Sequence, residues 1–385
     1  MDAPRILLST IPEQQQRQQQ NCAINLYGLP RSFKHHVLPS LVENVLKPNM
    51  HYGCDYFVHF FNKTTEASSR SGKGGYIDAN EVFLLQGALK NAIKNKQTPP
   101  CIKIISDTDE DFFRDRQATI YQIQNYPQLH NKTRNPYYPT TNSSGFDASS
   151  TINILKMWHS QTRVFELMEA QKSHKYTRVA MLRLDVIYMT PIDIYRVPND
   201  PTRNKYPSIN KEQGTYWKRP LPGPITKSDY YFFDLDNHHA VIPGFASFPI
   251  NDRFIMGPYD AVKIWATQRW NHMDHYIHST LKKRTALAKF GLHDERFLAF
   301  DIVPRIRQGG TKLMVDRNLY FFRVRADGSI WILDCPFADA KYNEPKKLEV
   351  LLQRRCMQVQ KSSNHVAPLY VKCPPLAPLE EGGTT

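Results

Sequence analysis

Three places in this chain set carboxylates at the end of an apolar run: Asp107-Thr108-Asp109 after CIKIIS, Asp185 after VAMLRL, and Asp234-Leu235-Asp236 after YYFF. A carboxylate at a strand end can help hold a divalent cation, and an arginine beside it can pair with phosphate oxygens. Carboxylates two apart are also common in turns, where Asp side chains accept from nearby backbone N–H groups. Asp107, Asp109, Asp234 and Asp236 are therefore the lesser metal-ligand candidates, and Asp185 is the leading one. It lies in TRVAMLRLDVIYMTPIDIY, residues 177–195. There the run Val179-Ala180-Met181-Leu182 has the unbroken apolar character of a strand buried on both faces. Arg183 and Asp185, two apart, point to the same side of an extended chain. VIYMTPIDIY reads as a continuation of that strand, turning at Thr190-Pro191, which puts Asp185 inside the fold. The competing reading is an ordinary strand-end ion pair between Arg183 and Asp185.

The elements that must position these groups alternate. CAINLYG reads as a strand, and PRSFKHHVLPSLVENVLKPN as a helix with Val37, Leu38, Leu41, Val42, Val45 and Leu46 at helical spacing. CDYFVHFF is a strand, NEVFLLQGALKNAIK a helix, CIKIIS a strand, and ASSTINILKMWHSQTRVFELMEAQ a long helix leading to Asp185. Strands alternating with helices predict an α/β fold with a mostly parallel central sheet flanked by helices, plus a smaller mixed C-terminal part. DYYFFDLD, HHAVIPGF and NDRFIMG read as short strands and turns, PYDAVKIWATQRW and LHDERFLAFDIVPRIRQ as helices, and LMVD and LYFFRVRADG as closing strands. Residues 1–20, with QQQRQQQ, form a polar lead-in expected to be disordered, and the PPLAPLEEGGTT tail likewise. The stretch 198–228, rich in Pro, Lys and Asn, reads as a surface insertion or lid. The expected organisation is one domain over 21–340, with halves 21–195 and 229–340 around that lid, and a C-terminal extension over 341–385.

At 385 residues, 41% hydrophobic and 12% aromatic, the chain can build a sizeable core. A formal charge of +14 favours anionic partners. Lys and Arg are scattered (Lys90, Lys94, Lys96; Lys282, Lys283, Arg284; Arg354, Arg355), which argues against a specific nucleic-acid-binding arm. None of the six cysteines has CxxC spacing, so a structural zinc site is not expected. Cys22, Cys54 and Cys101 fall in or beside predicted strands, where free Cys packs as a small hydrophobe; buried thiols of a reducing compartment are one reading, and the redox compartment stays open. No apolar run reaches the ~18 residues of a transmembrane helix, and the chain reads as soluble and cytoplasmic. Three sequons, at Asn62, Asn131 and Asn142, argue instead for a secretory or Golgi lumen.

YGLPRSF after the first strand, MLRLDVIYMTPIDIY in mid-chain, then INDRFIMG and LHDERFL, in that order, resemble nucleotide-sugar glycosyltransferases of the GT-A fold. The similarity is greatest to a little-characterised group of them and spans roughly residues 22–335. It implies a Rossmann-like nucleotide-binding half over 21–195, an acceptor half over 229–340, a nucleotide-sugar donor and a glycan acceptor. It also implies Mn2+ or Mg2+ on the donor diphosphate, held by a D-x-D motif that here reads Arg183-Leu184-Asp185. Carried over position by position, Arg31, Arg183, Asp185 and His293 become donor or diphosphate contacts, with Asp185 and His293 as metal ligands. Asn251 and Arg253 line the acceptor side. Asp252 becomes the general base or an acceptor-hydroxyl ligand, and Glu295 a catalytic or acceptor contact. The plainer readings stand beside these: an Asx-type turn at 251–253, acidic helix-start residues at 294–295, and a non-catalytic nucleotide- or glycan-binding protein on the same fold. Trp158, Trp265 and Trp270 offer sugar platforms, although Trp158 and Trp265 sit on apolar helix faces typical of core.

Overall fold

The computed structural model describes residues 21–67, 74–92, 100–140, 147–171, 176–198, 232–244, 250–283, 285–316, 319 and 321–331, with two short strands beyond. The lead-in 1–20, nearly all of the expected lid, the third sequon and the tail lie outside them.

Expectation and structure agree on the α/β plan. The chain begins with β1 (Cys22–Gly28), helix α1 over 33–49 and β2 (Asp55–Phe61). A small hairpin follows, β3 (Thr65–Glu66) and β4 (Gly75–Tyr76), then helix α2 over 79–92 and β5 (Ile102–Asp107). Next come α3 (Asp109–Asp115), α4 (Gln117–Gln124), the long α5 (Ala148–Glu169) and β6 (Arg178–Arg183). The later part carries β7 (Val186–Tyr188), the hairpin β8 (Arg196–Pro198) with β9 (Phe232–Asp234), β10 (His239–Pro243) and β11 (Ile255–Pro258). Helices α6 (Tyr259–Thr267), α7 (Arg269–His275) and α8 over 294–308 precede β12 (Lys312–Asp316), β13 (Phe321–Val324) and β14 (Ile330–Trp331).

The central sheet has seven strands in the order β12-β10-β11-β6-β1-β2-β5. β5, β2, β1 and β6 run parallel; β11 is antiparallel to both of its neighbours. β11 and β10 approach closely, because a Cβ at Gly257 would stand 2.6 Å from the Ala240 Cβ. The pleat sends alternate residues to opposite cores. Ile24, Leu26, Val58 and Leu182 pack with Val37, Leu41 and Val45 of α1 on one face. Ala23, Phe57 and Met181 pack with Leu155, Trp158 and Phe165 of α5 and Trp265 of α6 on the other. Trp158 and Trp265 are fully buried core, as their helix faces imply.

Three expectations need correction. The strand ending at Arg183 does not continue through VIYMTPIDIY. Leu184 N–H still donates to Tyr27 O, but Asp185 O accepts from Val324 N–H, so the chain leaves the first sheet at this residue. β7 then pairs antiparallel with β13 in a second sheet, its end at Tyr188 also bonded by Asn44 of α1, and Ile192 and Ile194 are held by Asn49 of α1 rather than by a ladder. That second sheet, ordered β15-β16-β14-β13-β7, takes in β15 (Gln358–Val359) and β16 (Tyr370–Lys372), so parts of the 341–385 extension pair into the fold. Secondly, Asp109 is not in a turn but opens α3, where Thr108 and Asp111 form a reciprocal capping box. Thirdly, Cys22 and Cys54 are not free thiols. They sit side by side at the starts of adjacent parallel strands, with Cα atoms 4.6 Å apart, and form a disulfide.

Candidate functional site

Ligands of open α/β sheets bind outside the carboxyl ends of the strands, and here those ends of β1 and β6 carry an extensive charged cluster. Arg31 sits in the loop after β1, just before Ser32, whose φ of 46° turns the chain into α1. Arg183 is the last residue of β6, and the bend after it returns the Asp185 side chain to its guanidinium. Arg183 Nε and Nη2 donate to the two Asp185 oxygens at 2.7 Å each, and Arg31 Nη1 donates to Oδ2 from the other side. Arg31 also grips Glu66, its Nε donating to Oε2 at 2.6 Å. Asp185 is 1% exposed. Burial pushes its carboxyl up, but the Arg183 and Arg31 charges outweigh that and hold it far below the usual carboxylate range.

The second half of the cluster comes from the segment before β11 and the start of α8. The Asx-type turn exists, but Asn251 makes it: its Oδ1 accepts from Arg253 N–H at 2.9 Å. Asp252 is thereby released from turn duty, and its Oδ1 accepts no hydrogen bond among the described residues, with Arg253 Nε 3.7 Å away. Tyr27 OH, from the end of β1, donates to Arg253 O at 3.0 Å. Gly291, at φ 58°, turns the chain into His293, which precedes the first turn of α8 without a side-chain capping bond. Asp294 accepts from Trp158 Nε1–H at 2.6 Å and twice from Arg269 Nη1 at 3.0 Å. Glu295 Oε1 lies 4.0 Å from Arg253 Nη2.

Asp252 and Asp294 hydrogen-bond to each other, which requires a proton between them. Burial, and then the Asp252 charge, push the Asp294 carboxyl up to about 7 despite Arg269. Burial also opposes ionisation of Asp252, but Arg253 and Arg183 outweigh it and keep its carboxyl below the usual value. Arg183 acts electrostatically on both Asp185 and Asp252, so the two halves form one electrostatic unit.

The structure thus brings Arg31, Arg183 and Asp185 together, and beside them Asn251, Asp252, Arg253 and Glu295, with buried His293 at the same helix start. Sequence reasoning gave no role to Arg269, Tyr27 or Glu66, saw Asp294 only as an acidic helix-start residue, and offered Trp158 as a sugar platform or core rather than as a hydrogen-bond donor to Asp294. Asp294 was legible as the middle of a charged triplet, and Arg269 as a cation between two tryptophans, Trp265 and Trp270. Glu66 carries no such signal, since it is one polar residue in a polar loop. The lesser candidates lie in separate surroundings. Asp109 pairs with Lys63 at 2.9 Å and Lys156 at 2.8 Å. Asp234 pairs with exposed Arg196, and Asp236 accepts from His238 N–H and meets His239 Nδ1 at 2.5 Å.

Asp107 belongs to a third group. His59 of β2, Asp107 at the end of β5 and His159 of α5, all buried, bring three ligating atoms within 4.8 Å of one another, a set that could hold a metal ion. Burial pushes both imidazoles below their usual value, His159 to about 4, so both are neutral at pH 7. Asp185 offers a cation less: both its oxygens already accept from guanidinium groups. The residues around it therefore do not fit a divalent ion.

No protein-family model matches the chain, and no curated protein matches it. Among solved structures, that of mouse xyloside xylosyltransferase 1 in its apo form is similar over 77% of this chain and 84% of that one. The identity is 10% and the TM-score 0.33, too loose a likeness to carry an argument. Among the described residues, no helix is long and apolar enough to cross a membrane.

Proposed function

We propose that this chain is a glycosyltransferase that moves a sugar from a nucleotide-sugar donor to a hydroxyl acceptor on a glycan or glycoprotein. The observation that carries the reading is the meeting, at the carboxyl ends of β1 and β6, of Arg31, Arg183 and Asp185 with Asp252, Arg253, Asp294 and Glu295, from separate parts of the chain. Arg31 and Arg183 present guanidinium forks suited to phosphate oxygens. A donor diphosphate arriving there takes over some of the hydrogen bonds they now give to Asp185 and Glu66. When the bond from the sugar's anomeric carbon to the diphosphate breaks, its electrons leave with the diphosphate, and these cations stabilise the charge. The acceptor oxygen bonds to the anomeric carbon and its proton passes to the Asp252 carboxylate, whose Oδ1 accepts no hydrogen bond among the described residues. Asp294 and Arg269 hold that carboxylate in place, while Arg253 and Glu295 line the acceptor side.

The Mn2+ or Mg2+ of related enzymes has no open carboxylate at Asp185, and in this reading the two arginines do its electrostatic work. The Cys22–Cys54 disulfide and the exposed sequon residues Asn62 and Asn131 support a secretory lumen as the place of action.

A panel of nucleoside diphosphates, with and without Mn2+, tests the reading by thermal unfolding. At a hundred times its dissociation constant a ligand adds about 2.7 kcal/mol to stability. One nucleotide should stabilise selectively, with little help from Mn2+; no response to any of them contradicts the proposal. A second reading, a nucleotide- or glycan-binding protein without turnover, is favoured by the full commitment of Asp185 to arginine. It predicts stabilisation without transfer.

A further inference from the structure

We infer that His59, Asp107 and His159 form a binding site for one transition-metal ion of the zinc class, joining β2, β5 and α5, for which the Arg163 guanidinium is the built-in competitor. The site shares no ligand with the Asp185–Asp252 cluster and does not depend on its function.

Ser160 provides the first argument. Its Oγ accepts from Gly28 N–H at 3.0 Å, lies 2.7 Å from His59 Nδ1 and is within 3.3 Å of His59 O. The arrangement that uses all three contacts has Nδ1–H donating to Oγ and the hydroxyl donating to the carbonyl. It leaves a lone pair on His59 Nε2, the tautomer that a metal ligand needs. That Nε2 is buried, makes no hydrogen bond among the described residues, and lies 3.1 Å from Asp107 Oδ2, off the line of a hydrogen bond. In that tautomer a lone pair faces a buried carboxylate, and a metal ion between the two would relieve the repulsion.

The second argument is spacing. His159 Nε2 is 2.7 Å from the same Oδ2. Tetrahedral zinc with bonds near 2.0–2.1 Å needs ligand atoms about 3.3 Å apart. The His59–Asp107 pair is within a few tenths of an ångström of that, and His159 must draw back by roughly half an ångström. Two imidazoles and one carboxylate are a borderline-soft donor set that suits zinc better than magnesium or calcium, and they leave a fourth position for water.

Two arginines oppose the ion. Arg163 Nε donates to Asp107 Oδ2 at 3.1 Å, and Arg116 Nε donates to His159 Nδ1 at 3.4 Å, which a metal-bound His159 could not accept. Both have somewhere else to go. Arg163 is 36% exposed and has Glu166 at 3.7 Å, and Arg116 stacks over Trp270 at 4.3 Å. Metal affinity is therefore set by competition, and removing the exposed competitor should raise it.

The test is Zn2+ titration of the full chain, stripped with a chelator, against a chromophoric indicator, with Co2+ absorption reporting coordination. Wild type should take up one ion at this site, Arg163→Ala should bind it about tenfold more tightly, and Co2+ should show the intense visible bands of a tetrahedral site. Uptake should be lost when His59 and His159 are both replaced by Ala. Arg163→Ala changes a half-exposed side chain, so the test does not hinge on the doubly substituted protein folding. No stoichiometric uptake by wild type or Arg163→Ala, uptake surviving loss of both histidines, or no tightening in Arg163→Ala would each overturn the inference.

Discussion

Arg183 holds both oxygens of Asp185, at 2.7 Å each, and Asp185 is the point at which the chain passes from the first sheet to the second. One residue therefore fixes the charge of the site and the junction of the two sheets.

Removing that carboxylate leaves two largely buried guanidinium groups, of Arg31 and Arg183, without their shared counter-ion. Breaking a buried pair in this way costs about 3–5 kcal/mol. Asp185→Ala should lose that much in urea unfolding. Glu66→Gln, at a side chain 22% exposed, should lose under about 1 kcal/mol. Equal losses would mean that burial does not decide the strength of these pairs.

Asp294 and Asp185 predict opposite responses to pH. The folded protein favours the protonated Asp294 carboxyl, so this contribution is fully present below the unfolded value of 3.8 and is lost as pH rises through about 7. Asp185 is depressed, so its contribution is present above the usual carboxylate range and is lost on acidification below it. Stability measured from pH 4 to 8 should fall between about pH 4 and 7 through this group in wild type and level off above, and this fall should be absent in Asp294→Asn. An unchanged slope in that variant would exclude a proton held between Asp252 and Asp294.

The disulfide joins the starts of two central strands across a separation of 32 residues. Cross-links of this kind contribute typically about 2–4 kcal/mol. Cys22→Ser should lower the unfolding midpoint, and a thiol reductant should do the same to wild type but not to the variant.

Much of this molecule was legible in its residues. The strand–helix alternation through residue 183 follows from apolar periodicity, because each element is long enough for its period to show. Asp252 and Glu295 entered only through the family resemblance, on the INDRFIMG and LHDERFL motifs. Pairings made in three dimensions were not legible. The Cys22–Cys54 bond depends on strand register, His59 looks like a stray polar residue in an apolar strand, and Asp294's partner Arg269 lies on another helix. Residues 186–194 misled because a β-branched apolar run has the same pattern whether it extends one sheet or begins another.

Secretory placement makes a separate prediction. Expressed through a eukaryotic secretory pathway, the protein should carry N-linked glycans at Asn62 and Asn131, both exposed, and peptide N-glycosidase should reduce its mass. Loss of one glycan in each of Asn62→Gln and Asn131→Gln is the expected pattern; an unmodified protein would contradict lumenal residence.

The most direct test of the transferase reading is product formation by wild type and Asp252→Asn, using whichever nucleotide sugar stabilises the fold and a panel of hydroxyl acceptors. Transfer by wild type, reduced about a hundredfold or more in Asp252→Asn with nucleotide stabilisation retained, is the predicted result. Undiminished transfer by the variant would remove Asp252 from the chemistry, and a stabilising donor that is never turned over would contradict the transferase itself.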